Sequence, residues 1–128
     1  MLGRFVTKLV QRLRLERDPA VLGRFVDHRA WQVRWEAIES LGKSESPGAE
    51  QYLLQVLGTS GDKFDLTNAN AALGRVGSRA AIPSLATLIH HPVEDVKVSA
   101  IHALGVLGDR TLTPLYLDAL SDQSWVTK

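Results

Sequence analysis

The 128-residue sequence contains no cysteine, only one methionine and few aromatic residues. Without cysteine the chain forms no disulfide and has no thiol chemistry, and its redox compartment stays undetermined. It also lacks a long uninterrupted apolar run, which argues against a membrane-spanning helix. Its apolar, basic start has no separate hydrophobic block or small-residue cleavage site, so it does not resemble a signal peptide. We therefore expect a cytoplasmic protein.

Patterns typical of catalytic and metal sites are missing as well. The sequence has no glycine-rich phosphate loop after a strand and no readable Ser-His-Asp set. Two of its four histidines, His90 and His91, are adjacent before Pro92 in a predicted loop, where adjacency points their side chains apart. We therefore predict a non-catalytic protein that uses neither cofactor nor metal.

Charge is unevenly distributed along the chain. Residues 1–34 hold eight Lys or Arg against three Asp or Glu, whereas the remaining residues hold seven against eleven. A basic first part and a mildly acidic second part can steer a charged partner.

A leucine-glycine pair returns at nearly constant spacing, as Leu41-Gly42, Leu73-Gly74 and Leu104-Gly105, at intervals of 32 and 31 residues. Apolar residues follow each leucine at offsets of 12, 15 and 16, and Val10 holds the leucine position of an earlier unit. Such units stack on their neighbours because one unit cannot bury its apolar face alone. We predict a single domain, with units at about 1–28, 29–59, 60–90 and 91–121 and the start of a truncated fifth at 122–128.

Each unit has the pattern of two helices joined by a turn. In the fourth unit Val96, Ala100 and Leu104 recur at helical spacing, and Gly105 and Gly108 are expected to end that helix. Small residues four before each leucine, including Ala100, would let neighbouring helices approach closely. We therefore predict an all-α fold, an α-solenoid of about four helical hairpins.

The same residues resemble a known repeat. The run Ala103-Leu104-Gly105-Val106-Leu107-Gly108-Asp109 and the run Ala72-Leu73-Gly74-Arg75-Val76-Gly77 are similar to the short HEAT-like repeats of phycobilisome lyases and many bacterial proteins. The resemblance is strong over residues 62–120 and weak before residue 30. It implies a protein-binding scaffold and says little about which partner is bound. A bilin-lyase-like subunit is a further alternative, although the repeat carries no bilin site.

The resemblance also implies where a partner would bind. In HEAT-like arrays the second helix of each unit lines a concave groove, and positions 11 and 14 after the leucine lie between its core positions. We define this set as the second-helix ladder: Val21, Arg24, Tyr52, Gln55, Ser84, Thr87, Leu115 and Asp118. Tyr52, an aromatic residue among polar ones, is its expected anchor.

An alternative site lies in the basic first units. We define the basic-aromatic patch as Arg24, Arg29, Trp31, Arg34 and Trp35. Aromatic rings among arginines can stack on bases and neutralise phosphates, which favours nucleic acid as the partner. The competing interpretation is that Trp31 and Trp35 pack between the first two units.

Three further features carry predictions. The first helix has an apolar face and a basic face, typical of a terminal cap or, alternatively, of a helix on an anionic membrane. Asn70 stands where Ile38 and Ile101 stand in sibling units, so either its amide bonds loop backbone across the repeat junction or the helix is rotated there and curves the array. Trp125 and the edge of the fourth unit are expected to self-associate or to pack against further sequence.

Overall fold

The computed structural model describes residues 2–44 and 46–108, and this part of the chain contains helices and no strand. The seven α-helices are α1 (Leu2–Leu15), α2 (Pro19–Leu22), α3 (Trp31–Lys43), α4 (Ala49–Thr59), α5 (Lys63–Val76), α6 (Ile82–Leu88) and α7 (Glu94–Leu107). Short 3-10 helices follow α2 and precede α6, at Gly23–Phe25 and Arg79–Ala81. The predicted all-α class is confirmed for these residues.

The long helices pack against one another in chain order: α1 on α3, α3 on α5, and α5 on α7. The shorter helices fill the spaces beside them, with α2 against α3, α4 against α3 and α5, and α6 against α7. Each of α3, α5 and α7 thus has both a long helix and a short helix as neighbours, whereas α1 packs mainly on α3. The predicted units beyond residue 108, including Leu115, Asp118, Trp125 and the segment 122–128, lie outside the described residues.

The repeat positions form the core. Leu41, Leu73 and Leu104 are fully buried, and so are the alanines four residues before them. Leu22, Leu53 and Leu85 at offset 12 are also fully buried, whereas Phe25, Leu57 and Leu88 at the next offsets are partly buried against the core. Burial of these side chains is the main stabilising contribution of each unit, roughly 1.5–3 kcal/mol for each large aliphatic residue. The predicted core is confirmed in this part of the chain.

The glycines of the leucine-glycine pairs have a different role from the predicted one. Gly105 does not end its helix, because α7 continues to Leu107. A Cβ atom placed on Gly42 would lie 2.8 Å from the Cβ of Ala72, and one on Gly74 would lie 3.3 Å from the Cα of Ala103. These glycines therefore permit close approach of successive long helices, which packing patterns along one helix do not reveal.

Two other glycines end the helices. Gly77 and Gly108 follow α5 and α7 with φ of 74°, a left-handed conformation that glycine adopts without a Cβ clash. The predicted cap at Gly108 is thus confirmed, and Gly77 is its counterpart one unit earlier.

A side-chain acceptor stands before three of the long helices, thirteen positions ahead of the repeat leucine. The N–H of Ala30 donates to Nδ1 of His28, and the N–H of Val93 donates to Nδ1 of His91, each at 3.0 Å. Between them, the N–H of Asp62 donates to the hydroxyl of Ser60 at 3.1 Å. Both histidines thus shape the turns between units, a role that the adjacency of His90 and His91 did not suggest.

The first helix buries only part of its predicted apolar face. Leu13 is buried against the rest of the core, whereas Phe5 is 73% exposed. The hydroxyl of Ser40 donates to the carbonyl of Leu13 at 3.2 Å, and the Arg14 guanidinium lies 3.2 Å from the Glu36 carboxylate. These contacts fix α1 on α3. None of the described helices is both long and apolar enough to cross a membrane.

Candidate functional site

The described part of the second-helix ladder lies at or near the surface, between the core positions of the shorter helices. The residues at offset 14, Arg24, Gln55 and Thr87, are exposed. The residues at offset 11, Val21, Tyr52 and Ser84, are partly buried. The helical spacing of offsets 11 and 14 therefore brings these six residues to the surface of the shorter helices α2, α4 and α6 and of the 3-10 helix that follows α2.

Tyr52 has a packing role in addition to its predicted role as an anchor. Its ring lies directly against Gly23, where a Cβ atom would overlap the ring carbons. The ring therefore joins α4 to the end of α2 and needs a residue without a side chain opposite it. We expect removal of the Tyr52 ring to lower stability as well as to alter the surface.

The basic-aromatic patch is not assembled as a free cationic surface. Nε of Arg34 donates to Oδ2 of Asp65 at 2.9 Å, and Nη1 donates to the carbonyls of His28 and Arg29. Nε1 of Trp35 donates to the other carboxylate oxygen of Asp65 at 3.1 Å. The polar groups of Arg34 and Trp35 thus form hydrogen bonds within the protein. Arg24 and Arg29 are the exposed cations of the patch.

Asp65 is the residue of this region whose role the sequence did not predict. Its side chain is buried, and it also accepts a hydrogen bond from the Ser60 hydroxyl at 3.2 Å. A carboxylate in this position satisfies the guanidinium of Arg34 and the indole of Trp35 together. A signal was available, since Asp65 occupies the repeat position of the apolar Val33 and Val96.

The tryptophans pack at a different junction from the expected one. The rings of Trp31 and Trp35 have centroids 4.4 Å apart, and the rings of Trp35 and Phe64 have centroids 5.5 Å apart. Because Phe64 and Asp65 belong to α5, Trp35 joins the second and third units rather than the first two. Trp31 and Phe64 remain 49% and 48% exposed. We call Trp31, Trp35 and Phe64 the aromatic cluster.

Asn70, the amide at a position where the sibling units have isoleucine, is hydrogen-bonded to α7. Its amide is fully buried, and Nδ2 donates to the Ser99 hydroxyl at 2.9 Å and more weakly to the Val96 carbonyl at 3.4 Å. The predicted partners across a repeat junction are thus present, on α7 rather than in a loop. The Oδ1 atom has no hydrogen-bond partner among the described residues.

Among the described residues, the large apolar side chains that remain exposed all lie on the long helices α1, α3, α5 and α7, which we call the long-helix layer. They are Phe5, Leu15, Trp31, Phe64, Val98 and Val106. The shorter helices that carry the second-helix ladder contribute none of them. The apolar surface of the described residues therefore belongs to the long-helix layer.

No group of three or more His, Cys, Asp or Glu that could hold a metal occurs in residues 2–44 and 46–108. No protein-family model matches the chain, and no curated protein shows a significant sequence match to it.

Proposed function

We propose that the protein is a non-catalytic protein-binding module built as a short HEAT-like solenoid. The observation that carries the proposal is the aromatic cluster, in which two half-exposed rings, Trp31 and Phe64, each pack against Trp35 on the long-helix layer. Clustered exposed apolar side chains are typical of interaction surfaces, where aromatic residues supply much of the binding energy. The tandem spacing and the chain-order packing of the long helices support the solenoid.

The proposal leaves two surfaces available to a partner. The second-helix ladder offers exposed polar groups around Tyr52, and its described residues change from cationic Arg24 to uncharged Thr87 along the chain. The long-helix layer offers the aromatic cluster. Separate variants on the two layers decide between them.

The experiment is a pull-down from native lysate followed by affinity measurements on the partner it identifies. Trp31→Ser and Phe64→Ser test the long-helix layer, while Arg24→Glu and Gln55→Ala test the ladder without removing a buried ring. We expect the partner to be retained by the wild type and to be lost by the variants of one layer only. A protein that captures no specific partner, or whose capture is unaffected by all four variants, would contradict the proposal.

Salt dependence separates a protein partner from a nucleic acid. Binding to phosphates releases counterions and weakens steeply as salt rises. The engagement of Arg34 by Asp65 leaves few cations for phosphates in the basic-aromatic patch, so we expect no retention on DNA or heparin at physiological salt. Strong retention that Arg24→Glu and Arg29→Glu abolish would favour the nucleic-acid function instead.

A further inference from the structure

We propose that the groove between α5 and α7 binds a short segment of another protein in which an apolar anchor side chain is closely followed by Lys or Arg. The inference deepens the proposed function, because it names the chemistry of the partner segment and its place on the long-helix layer. It rests on the shape and charge of the groove.

The groove runs along the first turns of the two helices. It has a volume of about 510 Å³ and is lined by Phe64 on α5 and Val98 on α7. Phe64 is 48% exposed and Val98 is 44% exposed, so both present apolar surface to solvent. A groove of this size suits one or two anchor side chains rather than a folded domain. It therefore favours a short segment.

The two sides of the groove carry opposite charges. Glu94 and Asp95 line it from the first turn of α7, and Lys63 lines it from the first turn of α5. The Lys63 ammonium lies 5.1 Å from the centroid of the Phe64 ring, over which it makes a cation–π contact. Neither carboxylate forms an ion pair with another described residue. The unpaired anions at the α7 side are complementary to a cation on the partner.

Charge also fixes the side of the groove on which the cation of the segment lies. The apolar anchor lies between Phe64 and Val98, while the cationic side chain reaches Glu94 and Asp95 and stays away from Lys63. Opposite charges at a binding rim select the partner and its orientation more than they add affinity. An acidic segment would meet two carboxylates and is disfavoured.

The probes are three fluorescein-labelled peptides added to the full chain at low salt. The first has the sequence Gly-Ser-Gly-Trp-Gly-Arg-Arg-Gly-Ser-Gly. The second carries Glu-Glu instead of Arg-Arg, and the third carries Ser instead of Trp. By fluorescence anisotropy we expect the first peptide to bind at least about fivefold more tightly than either of the others, because only it supplies both the anchor and the cations.

Variants locate the binding. We expect Val98→Ser, and Glu94→Gln combined with Asp95→Asn, each to weaken the first peptide by roughly fivefold. Val106→Ser is the matched apolar control, because Val106 is exposed on the same helix outside the groove. Glu39→Gln is the matched charge control on α3. Circular dichroism and melting curves establish that every variant is folded.

Several outcomes would overturn the proposal. They are no measurable binding of the first peptide, equal affinity for the three peptides, a preference for the acidic one, or groove variants that bind as the wild type does. Two further results distinguish a failure of the groove from a failure of the proposed function. A lysate partner that survives the groove variants but is lost with Arg24→Glu or Trp31→Ser refutes the groove and leaves the binding module standing. Peptide binding that follows the groove without any captured partner refutes the module alone.

Discussion

Asp65 joins three parts of the protein through one carboxylate. Its oxygens accept hydrogen bonds from the Arg34 guanidinium, the Trp35 indole and the Ser60 hydroxyl. Two of these donors are on α3 and one is in the loop before α5, so the carboxylate fixes the third unit on the second. A buried charge is stable here because each oxygen has a strong donor.

Replacing Asp65 with alanine should therefore be strongly destabilising. The change leaves the mostly buried Arg34 guanidinium without its main anion, which costs about 3 kcal/mol in buried pairs of this kind. Urea denaturation measures the loss. The control is Glu39→Ala, which breaks an exposed pair with Lys43 at 3.1 Å and should cost less than about 0.5 kcal/mol. Equal losses for the two variants would contradict this role of Asp65.

His28 provides a second test at a single side chain. Its Nδ1 accepts the Ala30 N–H, so His28→Ala removes the acceptor and should cost about 1 kcal/mol of unfolding free energy. Asparagine places an oxygen where it accepts from the N–H two residues on. We therefore expect His28→Asn to lie closer to the wild type than His28→Ala. Thermal melting of the two variants gives the order, and the reverse order would exclude a turn-forming role.

The long helices approach closely where glycine replaces a larger side chain. Gly42 faces Ala72 across the contact between α3 and α5, and Gly74 faces Ala103 across the contact between α5 and α7. Close approach lets the alanines and leucines beside these positions interlock and exclude voids. The same repeat position at Gly105 has no described atom within 4 Å.

Identical substitutions at one repeat position should thus have opposite effects. In Gly42→Ala the new Cβ would meet Ala72 at 2.8 Å, so the helices must separate, at a cost of about 1–3 kcal/mol. In Gly105→Ala the added methyl group meets no described atom within 4 Å, and the better helix propensity of alanine should raise stability by up to about 1 kcal/mol. Chemical denaturation compares them. Destabilisation by both changes would mean that α7 is closely covered at this position.

The long helices of the described molecule pack in chain order, α1 on α3, α3 on α5 and α5 on α7. In the proposed solenoid each unit buries its apolar face on the next, so stability accumulates from the junctions between neighbours. The described junctions also differ in kind, because Asp65 serves the contact of α3 with α5 and Asn70 serves that of α5 with α7.

The complete chain should give a helical circular dichroism spectrum. This expectation extends the observed helices of residues 2–44 and 46–108 to the predicted second helix of the fourth unit. A spectrum with a dominant β signal would contradict the repeat assignment as a whole.

Self-association is the remaining prediction for the assembly. Trp125 belongs to the predicted fifth unit, and we expect its apolar side chain to pair with a second copy. Light scattering should therefore show a mass that rises with concentration, and Trp125→Ser should lower it. A monomer at high concentration that Trp125→Ser leaves unchanged would remove the basis for this prediction.

The helical class, the repeat positions and the core could be predicted from the sequence, because burial imposes a period that leucines and alanines display directly. The leucine at Leu73 and the alanine at Ala69 needed no knowledge of their neighbours to be placed inside. The position of the ladder residues between the core residues followed from the same helical geometry. What this geometry left open were contacts between units, since spacing within a helix does not state which side chains meet across a junction.

The contacts between units determine which side chains of the candidate site meet and which remain exposed. Only packing shows that Arg34 and Trp35, two members of the basic-aromatic patch, meet Asp65 and so join α3 to α5. Only packing shows that Gly42 lies against Ala72 and that Tyr52 lies against Gly23. The groove between α5 and α7 is of the same kind: Phe64 and Val98 lie far apart in sequence, and they line one surface because two long helices pack side by side.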